Sequence, residues 1–364
     1  MRDNENTQGS PSLGRRTVLR GAALGTAAPL LPAAAAAAAG SAATPSAAPT
    51  PESRPASAPT SGSGSAPEPE PEPGSAPASA SHAASFRWLG TSGWRIDVDG
   101  RTVLFDPYVT RFRTGLFDGA FDAGTELRTD PGLVREHVGH PELVLVSHAH
   151  WDHLADVPHI ARTTGARVVG TETTYHLLVA FGVDPGQISV VKGGEVLDFG
   201  GGVTVEVVAS LHSRNKKYSY FAPGTLHAPP ATPPRTISDL PEGDTLAFLV
   251  TAGSGGPSAF LMGASDFCER AARGLRPDLA MVAVPAGTAT HDYVPRLLRA
   301  LDRPDVVVPV HWDNFEEPLT APPRRDPSMD LDAFVARVRR SSPSGRIVVP
   351  DYRTVYGGDM RPLG

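Results

Sequence analysis

Short runs of apolar residues, separated by turns that contain glycine, follow one another from residue 86 onward. The first three runs predict an antiparallel meander of strands over 86–90, 94–98 and 102–106. Later apolar runs of strand length lie at 143–146, 167–169, 203–208, 246–250, 259–262, 279–284 and 306–310. This stretch of the chain is therefore predicted to be rich in strands.

Helical spacing of apolar residues interrupts these strands at four places. The pattern predicts helices over 152–163, 173–181, 291–301 and 331–339. Groups of strands with intervening helices favour an α/β fold with a layered order of helix, sheet, sheet and helix.

The first 40 residues have the order of an export signal. Arg15 and Arg16 precede a weakly apolar, alanine-rich segment at 21–39, and small residues lie before Gly40. This arrangement resembles a twin-arginine signal peptide, so we expect the protein to be exported and to meet the membrane only during export. The alternative is an alanine-rich tail with a chance pair of arginines.

Residues 41–84 consist mainly of Pro, Ala, Ser, Thr and Gly, with a Glu-Pro alternation at 67–73. Such a segment has too few apolar groups to form a core, and we interpret it as a disordered linker. The predicted folded domain is then 85–364, long enough for one large domain.

Charge and cysteine content narrow the possible partners. The formal net charge is -6, which argues against a nucleic-acid partner because such proteins usually carry a basic field. We expect a small-molecule substrate.

Cys268 is the only cysteine, so the chain cannot form an internal disulfide or an all-cysteine zinc site. Any metal must use histidine and carboxylate ligands. The oligomeric state is not indicated.

The densest candidate chemistry follows the apolar run at 143–146. After Ser147 the chain reads His148-Ala149-His150-Trp151-Asp152-His153. While the chain stays extended, His148 and His150 project to one side and can share one ion. As it turns into the following helix, Asp152 and His153 point toward a second position. The pattern predicts two neighbouring metal sites; a chance group of exposed histidines is the alternative.

This loop resembles the His-x-His-x-Asp-His motif of the metallo-β-lactamase superfamily, and four further segments match that family in order along the chain. The resemblance implies a four-layer αββα sandwich, with a catalytic domain at 85–364, and two metal ions, zinc or alternatively manganese or iron. It implies these metal ligands: His148, His150, Asp152, His153, His212, Asp266 and His311.

Within that implied set, His148, His150 and His212 hold the first ion. Asp152, His153 and His311 hold the second. The bridging ligand is Asp266, although the family commonly places this aspartate directly after the glycine, here Gly263. At the end of the third predicted strand, Asp106 is implied to support the ligands from behind.

The resemblance implies a hydrolase in which hydroxide held between the metals attacks an ester, lactone or phosphodiester, with Asp152 assisting proton transfer. The His-Trp-Asp-Asn-Phe segment at 311–315 is most similar to the branch with ascorbate-6-phosphate lactonase and N-acyl phosphatidylethanolamine phospholipase D. Two alternatives remain: an iron-dependent oxidoreductase similar to persulfide dioxygenases, and a β-lactamase. His150 argues against a flavodiiron protein, which generally has glutamate there.

Other candidate groups have ordinary explanations. Cys268 is expected to be a small buried residue, and His291 a helix-start residue rather than a proton donor. Two basic clusters, Arg111 with Arg113 and the segment 214–217, are candidates for binding a substrate phosphate or carboxylate, although charged loops are usually just solvated.

Overall fold

A computed structural model of the chain describes residues 84–285 and 289–363. These residues fall within one compact unit, 73–364. The predicted signal peptide at 1–40 and the predicted linker at 41–84, apart from Ala84, lie outside the described residues. Within the described ranges no helix has the length and apolar character needed to cross a bilayer.

The described residues form fifteen strands and seven helices. The strands are β1 Ser85–Trp88, β2 Trp94–Val98, β3 Arg101–Phe105, β4 Leu143–Leu145, β5 Arg167–Gly170, β6 Ile188–Val190, β7 Val196–Asp198, β8 Val203–Leu211, β9 Leu246–Ala252, β10 Ser258–Met262, β11 Asp266–Phe267, β12 Leu279–Ala283, β13 Val306–Val310, β14 Arg346–Ile347 and β15 Val355–Gly357. The helices are α1 Pro131–Val138, α2 Trp151–Leu154, α3 Val157–Thr164, α4 Glu172–Ala180, α5 Glu269–Ala272, α6 Tyr293–Ala300 and α7 Leu331–Ser341.

The strands form two mixed sheets. Seven strands make the first sheet in the order β15-β1-β2-β3-β4-β5-β6. Its first part is the predicted antiparallel meander, and β3 to β6 pair in parallel. The second sheet has eight strands, seven of them in the order β11-β8-β9-β10-β12-β13-β14, while β7 pairs with the outer part of β8.

The core lies between the two sheets. Phe105 of the first sheet meets Phe248 of the second edge to face, with ring centroids 6.1 Å apart, and both side chains are fully buried. Helices cover the sheets: α4 contacts β6, while α7 contacts β13 and packs against α6. The fold is the expected αββα sandwich, in which inward-facing apolar residues of both sheets supply most of the burial.

The region 152–163 was predicted to be one helix but forms two. The prediction of a continuous helix was therefore wrong. Helix α2 ends at Leu154 and α3 begins at Val157, with Asp156 as its N-cap residue. Pro158 explains the break, because its ring would collide with the carbonyl of Leu154 in a continuous helix and it has no N–H to donate. The break leaves Asp152 and His153 on a separate short helix, which follows β4 after the loop 146–150.

Candidate metal centre

Three histidines from two segments form a first group of ligands. His148 and His150 follow β4, and His212 follows the last residue of β8. Their ring centroids lie 4.8–4.9 Å apart in all three pairs, with planes crossed at 78–82°. One nitrogen from each ring lies within 4.8 Å of the others. We call these residues the His trio.

Asp152, His153 and His311 form a second group, the Asp trio. Oδ2 of Asp152 lies 3.3 Å from Nε2 of His153 and 3.3 Å from Nε2 of His311. The two groups are adjacent, since the rings of His148 and His153 have centroids 4.0 Å apart. All six side chains line one cavity of about 380 Å³.

The geometry of both groups fits metal ions. Nitrogen and oxygen ligands about 2.0–2.1 Å from a tetrahedral zinc ion are about 3.3 Å apart, which is the spacing observed in the Asp trio. In the His trio, Nε2 of His148 is buried and has no hydrogen-bond partner within the described part of the chain. A buried nitrogen without a partner is costly unless it has another ligand. The His trio can hold one ion and the Asp trio another.

Burial and neighbouring charges set the protonation of these ligands. Burial lowers the pKa of His150 to about 4 and the pKa of His212 to about 3, and burial together with the neighbouring histidines holds the pKa of His148 well below its usual range. These three rings are therefore neutral at pH 7, which is the form that binds metals.

His153 behaves differently. Burial works against its charged form, but Asp152 and Asp106 outweigh that effect and raise the pKa of His153 to about 10. The carboxyl of Asp152 is also buried, yet His153 and His311 hold its pKa well below its usual range. Without metal, Asp152 and His153 therefore carry opposite charges at pH 7.

Asp106 lies behind both groups, at the end of β3. Its Oδ2 accepts hydrogen bonds from Nδ1 of His153 at 2.8 Å and from the Ser147 hydroxyl at 2.6 Å, and its Oδ1 accepts from the Ser147 amide. Oγ of Ser147 lies 3.0 Å from Nδ1 of His148. This network orients one histidine of each trio with Nε2 toward the cavity, which is how carboxylates position metal-binding histidines.

The loop after β13 places His311. Its backbone φ of 58° is unusual for a residue with a side chain, and its amide donates to the carbonyl of Thr91. Two residues later, Asp313 is fully buried against Arg111 at 2.7 Å and accepts from the Thr91 amide and the Tyr352 hydroxyl. The buried network thus holds the loop in its strained conformation.

The structure does not bring Asp266 into either trio. Asp266 begins β11, which pairs with the end of β8, and its Oδ1 accepts from the amide of Phe267. After β10 ends, the bend at 263–265 lines the cavity, but the pairing of β11 with β8 places Asp266 beyond that bend. Asp266 belongs to neither group of residues that could hold an ion, so the bridging role expected for it has no support in this geometry.

Other side chains singled out by the sequence lie in different places. His291 is exposed and is absent from the cavity wall. Cys268 is the partly buried N-cap residue of α5. Arg111 is buried beside Asp313 rather than facing the cavity, whereas Arg113 is exposed and pairs with Asp118.

Arg214 does line the cavity, as do Tyr220 and Phe221. The Tyr220 ring stacks on His212 with centroids 4.6 Å apart, and its hydroxyl donates to Glu242. The carbonyl of Glu242 in turn accepts the amide of Ala149, between His148 and His150.

Sequence reasoning missed three groups that support the site: Ser147, Glu242 and Asp313. Ser147 had a usable signal, since it directly precedes the ligand loop. Glu242 reaches the site only through tertiary contacts, and the sequence held no sign of its role.

Comparisons with known proteins identify the family of this chain and several similar proteins. A protein-family profile described as "Beta-lactamase superfamily domain" matches residues 101–312, more than half of the chain. A protein of Polynucleobacter asymbioticus named "UPF0173 metal-dependent hydrolase" is 27% identical over 238 residues, covering 64% of this chain and 75% of that protein. A protein of the same name from Pyrobaculum arsenaticum is 26% identical over 259 residues, which cover 70% of this chain and 93% of that protein.

Among solved structures, the chain is similar to Igni18, described as a novel metallo hydrolase from Ignicoccus hospitalis. The two chains are 20% identical with a TM-score of 0.49, and the match covers 76% of this chain and 98% of that chain. The match of the family profile spans the strand before Asp106, the whole His-x-His-x-Asp-His loop, His212 and His311. This chain belongs to the metallo-β-lactamase superfamily.

Proposed function

We propose that this chain is a metal-dependent hydrolase that binds two divalent cations and cleaves an ester, lactone or phosphodiester bond of a small molecule. The observation that carries the proposal is the pair of three-ligand groups, the His trio and the Asp trio, facing one cavity. The names of the similar proteins from Polynucleobacter and Pyrobaculum support the same class of activity.

Five imidazoles and one carboxylate suit zinc, with manganese or iron as the alternatives. When bound, two such ions supply hydroxide at neutral pH and polarise the carbonyl or phosphoryl group under attack. The neutral rings of the His trio leave the first ion its full charge, whereas the Asp152 carboxylate offsets part of the charge of the second.

The protein's own groups have distinct roles in this proposal. Asp152 is chiefly a ligand, because a carboxylate whose pKa lies well below its usual range is a weak base. The carboxylate oxygen of Asp152 that would not hold the ion can still accept a proton from water and return it to a leaving group. Asp106 and Ser147 orient His153 and His148, and the apolar residues of the cavity exclude bulk water from the reacting bond.

A substrate panel tests the reaction class. The full chain loaded with zinc is assayed with an aliphatic lactone, bis(4-nitrophenyl) phosphate and a cephalosporin. We expect turnover of the lactone or the phosphodiester, as the resemblance to the lactonase and phospholipase branch suggests. We also expect loss of turnover in His150→Ala and full turnover in the control His291→Ala, which changes an exposed histidine outside the cavity.

Three results would contradict the proposal. Turnover of the cephalosporin alone would indicate a β-lactamase. Purification with iron, together with oxygen-dependent consumption of a persulfide, would indicate an oxidoreductase of the same fold. Equal turnover in His150→Ala and the unaltered chain would show that the reaction occurs elsewhere.

We also propose that the protein works outside the cytoplasm. The support is the sequence alone, Arg15 and Arg16 followed by the alanine-rich segment. Changing both arginines to lysine is expected to retain the protein inside cells that otherwise export it, as measured by fractionation. Equal export of the double variant would contradict twin-arginine transport.

A further inference from the structure

One wall of the cavity beside the His trio is aromatic. The rings of Phe121, Trp151 and Phe221 contact one another with centroids 5.3–6.1 Å apart, and Phe221 lies 5.8 Å from His150. Phe121 is 38% exposed and the adjoining Leu116 is 42% exposed. Exposed apolar side chains at a cavity mouth are typical of a surface that a ligand covers. We call Phe121, Trp151 and Phe221 the aromatic wall.

A single cation lies at another part of the cavity. Among the described residues that line the cavity, Arg214 is the one lysine or arginine, and its guanidinium lies over the Tyr220 ring, 5.3 Å from the centroid. Tyr220 also stacks on His212, so this one ring contacts both the cation and a proposed metal ligand.

The guanidinium of Arg214 has its charge available. No carboxylate in the described ranges forms an ion pair with it. The nearby Glu242 interacts electrostatically with Arg214 but forms no ion pair with it, and its two oxygens accept the hydroxyls of Tyr220 and Thr245. Arg214 can therefore donate to an anionic group of a bound molecule, and a guanidinium binds carboxylates and phosphates through two parallel hydrogen bonds.

We propose that the substrate is a small amphipathic anion, with an apolar body against the aromatic wall and a carboxylate or phosphate held by Arg214, so that the bond to be cleaved lies over the metal ligands. This inference rests on the proposed hydrolase function and specifies its substrate class. Arg214 selects for the anionic group, and the aromatic wall selects for the apolar body.

Matched esters test the selection. The zinc-loaded full chain is assayed with monophenyl succinate, which carries a carboxylate, and with phenyl butyrate, a neutral ester of similar length. A third ester carries a terminal phosphonate in place of the carboxylate, and its result shows which anion is preferred. Because Arg214 is exposed, solvent weakens its pairing with an anion, and we expect a preference of about twofold to fivefold in kcat/KM for an anionic ester.

Two variants separate the parts of the site. Arg214→Gln is expected to bring the ratio of kcat/KM between anionic and neutral esters to about one, mainly through KM. Phe121→Ser is expected to lower kcat/KM for all esters and leave their ratio unchanged. Lys217→Gln is the matched control, because Lys217 is an exposed cation three residues from Arg214 that does not line the cavity. An equal loss of preference in Lys217→Gln would overturn the proposal.

Calorimetric binding of 3-phenylpropanoate, compared with 3-phenylpropanol, separates this inference from the reaction itself. Tighter binding of the carboxylate that depends on Arg214 supports the inference even when no ester is hydrolysed, in which case only the hydrolase proposal fails. Equal binding of the carboxylate to the unaltered chain and to Arg214→Gln would show that the metals alone hold it, and would overturn the inference while leaving hydrolysis intact.

Discussion

Nδ1 of His153 donates a hydrogen bond of 2.8 Å to Oδ2 of Asp106, and this bond turns Nε2 of the same ring toward Asp152. Because Oδ2 of Asp106 also accepts the Ser147 hydroxyl, which contacts His148, one buried carboxylate orients ligands of both trios. The two proposed metal sites are therefore coupled through the protein as well as across the cavity.

The first prediction concerns that carboxylate. Asp106→Asn keeps the size of the side chain but removes its charge, so it weakens the hydrogen bond that orients His153. We expect zinc affinity at the second site to fall about tenfold to hundredfold. Competition with a chelating dye at pH 7.5 measures this. Asp118→Asn, an exposed change beside Arg113, is the control; equal zinc affinity in the two variants would contradict the role of Asp106.

The second prediction concerns Gly263, which packs closely against Ser147 and Asp106. A methyl group on Gly263 would meet Oγ of Ser147 at 2.0 Å and Oδ2 of Asp106 at 2.7 Å. Gly263→Ala is therefore expected to displace Ser147 and reduce zinc content. In the control Gly186→Ala, the nearest atom to the new methyl group lies at an ordinary 3.4 Å, so zinc content should not change. Retention of two zinc ions in Gly263→Ala would show that the network tolerates a large shift.

The third prediction concerns the buried pair of Arg111 and Asp313. Asp313→Ala leaves a buried guanidinium without its counter-charge, which typically costs about 3–5 kcal/mol in the free energy of unfolding. Arg113→Met removes an exposed pair instead and should change that free energy by less than about 1 kcal/mol. Urea titration measures both. Similar losses in the two variants would mean that the buried pair does not hold the loop that carries His311.

The fourth prediction concerns the stability of the metal-free protein as a function of pH. The pKa of His150 is about 4 and the pKa of His212 about 3 in the folded chain, both below the ordinary 6.5. The unfolded chain therefore binds more protons below pH 6.5, and stability is lost as the pH falls from there toward 4. The pKa of His153, about 10, has the opposite effect, since stability is lost as the pH rises from 6.5 to 10.

Thermal unfolding of the chelator-treated protein between pH 4.5 and 9 tests both directions. His212→Asn should reduce the slope on the acid side of the profile, where His148 and His150 still contribute, and His153→Asn should reduce the slope on the alkaline side. If either variant keeps the full slope on its side, the assigned protonation states are wrong.

The strands and the ligand loop could be predicted from the sequence because they depend on local patterns. Each apolar run predicted as a strand is a strand in the structure, and the ligands at 148–153 lie where a buried strand ends. Five other strands of two or three residues, such as Asp266–Phe267, were missed because their pattern is too short to detect. The break before Pro158 could have been predicted, since proline is incompatible with a continuous helix there.

Tertiary contacts account for what the sequence could not show. The sequence predicts Arg111 as a candidate cation at the pocket, yet it is buried because Asp313, far away in sequence, provides its counter-charge. The family resemblance implies that Asp266 bridges the metals, but the pairing of β11 with β8 decides where its carboxylate lies. In both cases the partner is set by the fold and not by neighbouring residues.

Metal content per chain tests the central claim most directly. The full chain and the variants His148→Ala, Asp152→Ala and Asp266→Ala are purified identically and analysed for bound metals. Two zinc ions per chain are expected in the unaltered protein and in Asp266→Ala, with at least one lost in His148→Ala and in Asp152→Ala. Absence of metal from the unaltered chain, or unchanged content in His148→Ala and Asp152→Ala, would contradict a two-metal centre built from the His trio and the Asp trio.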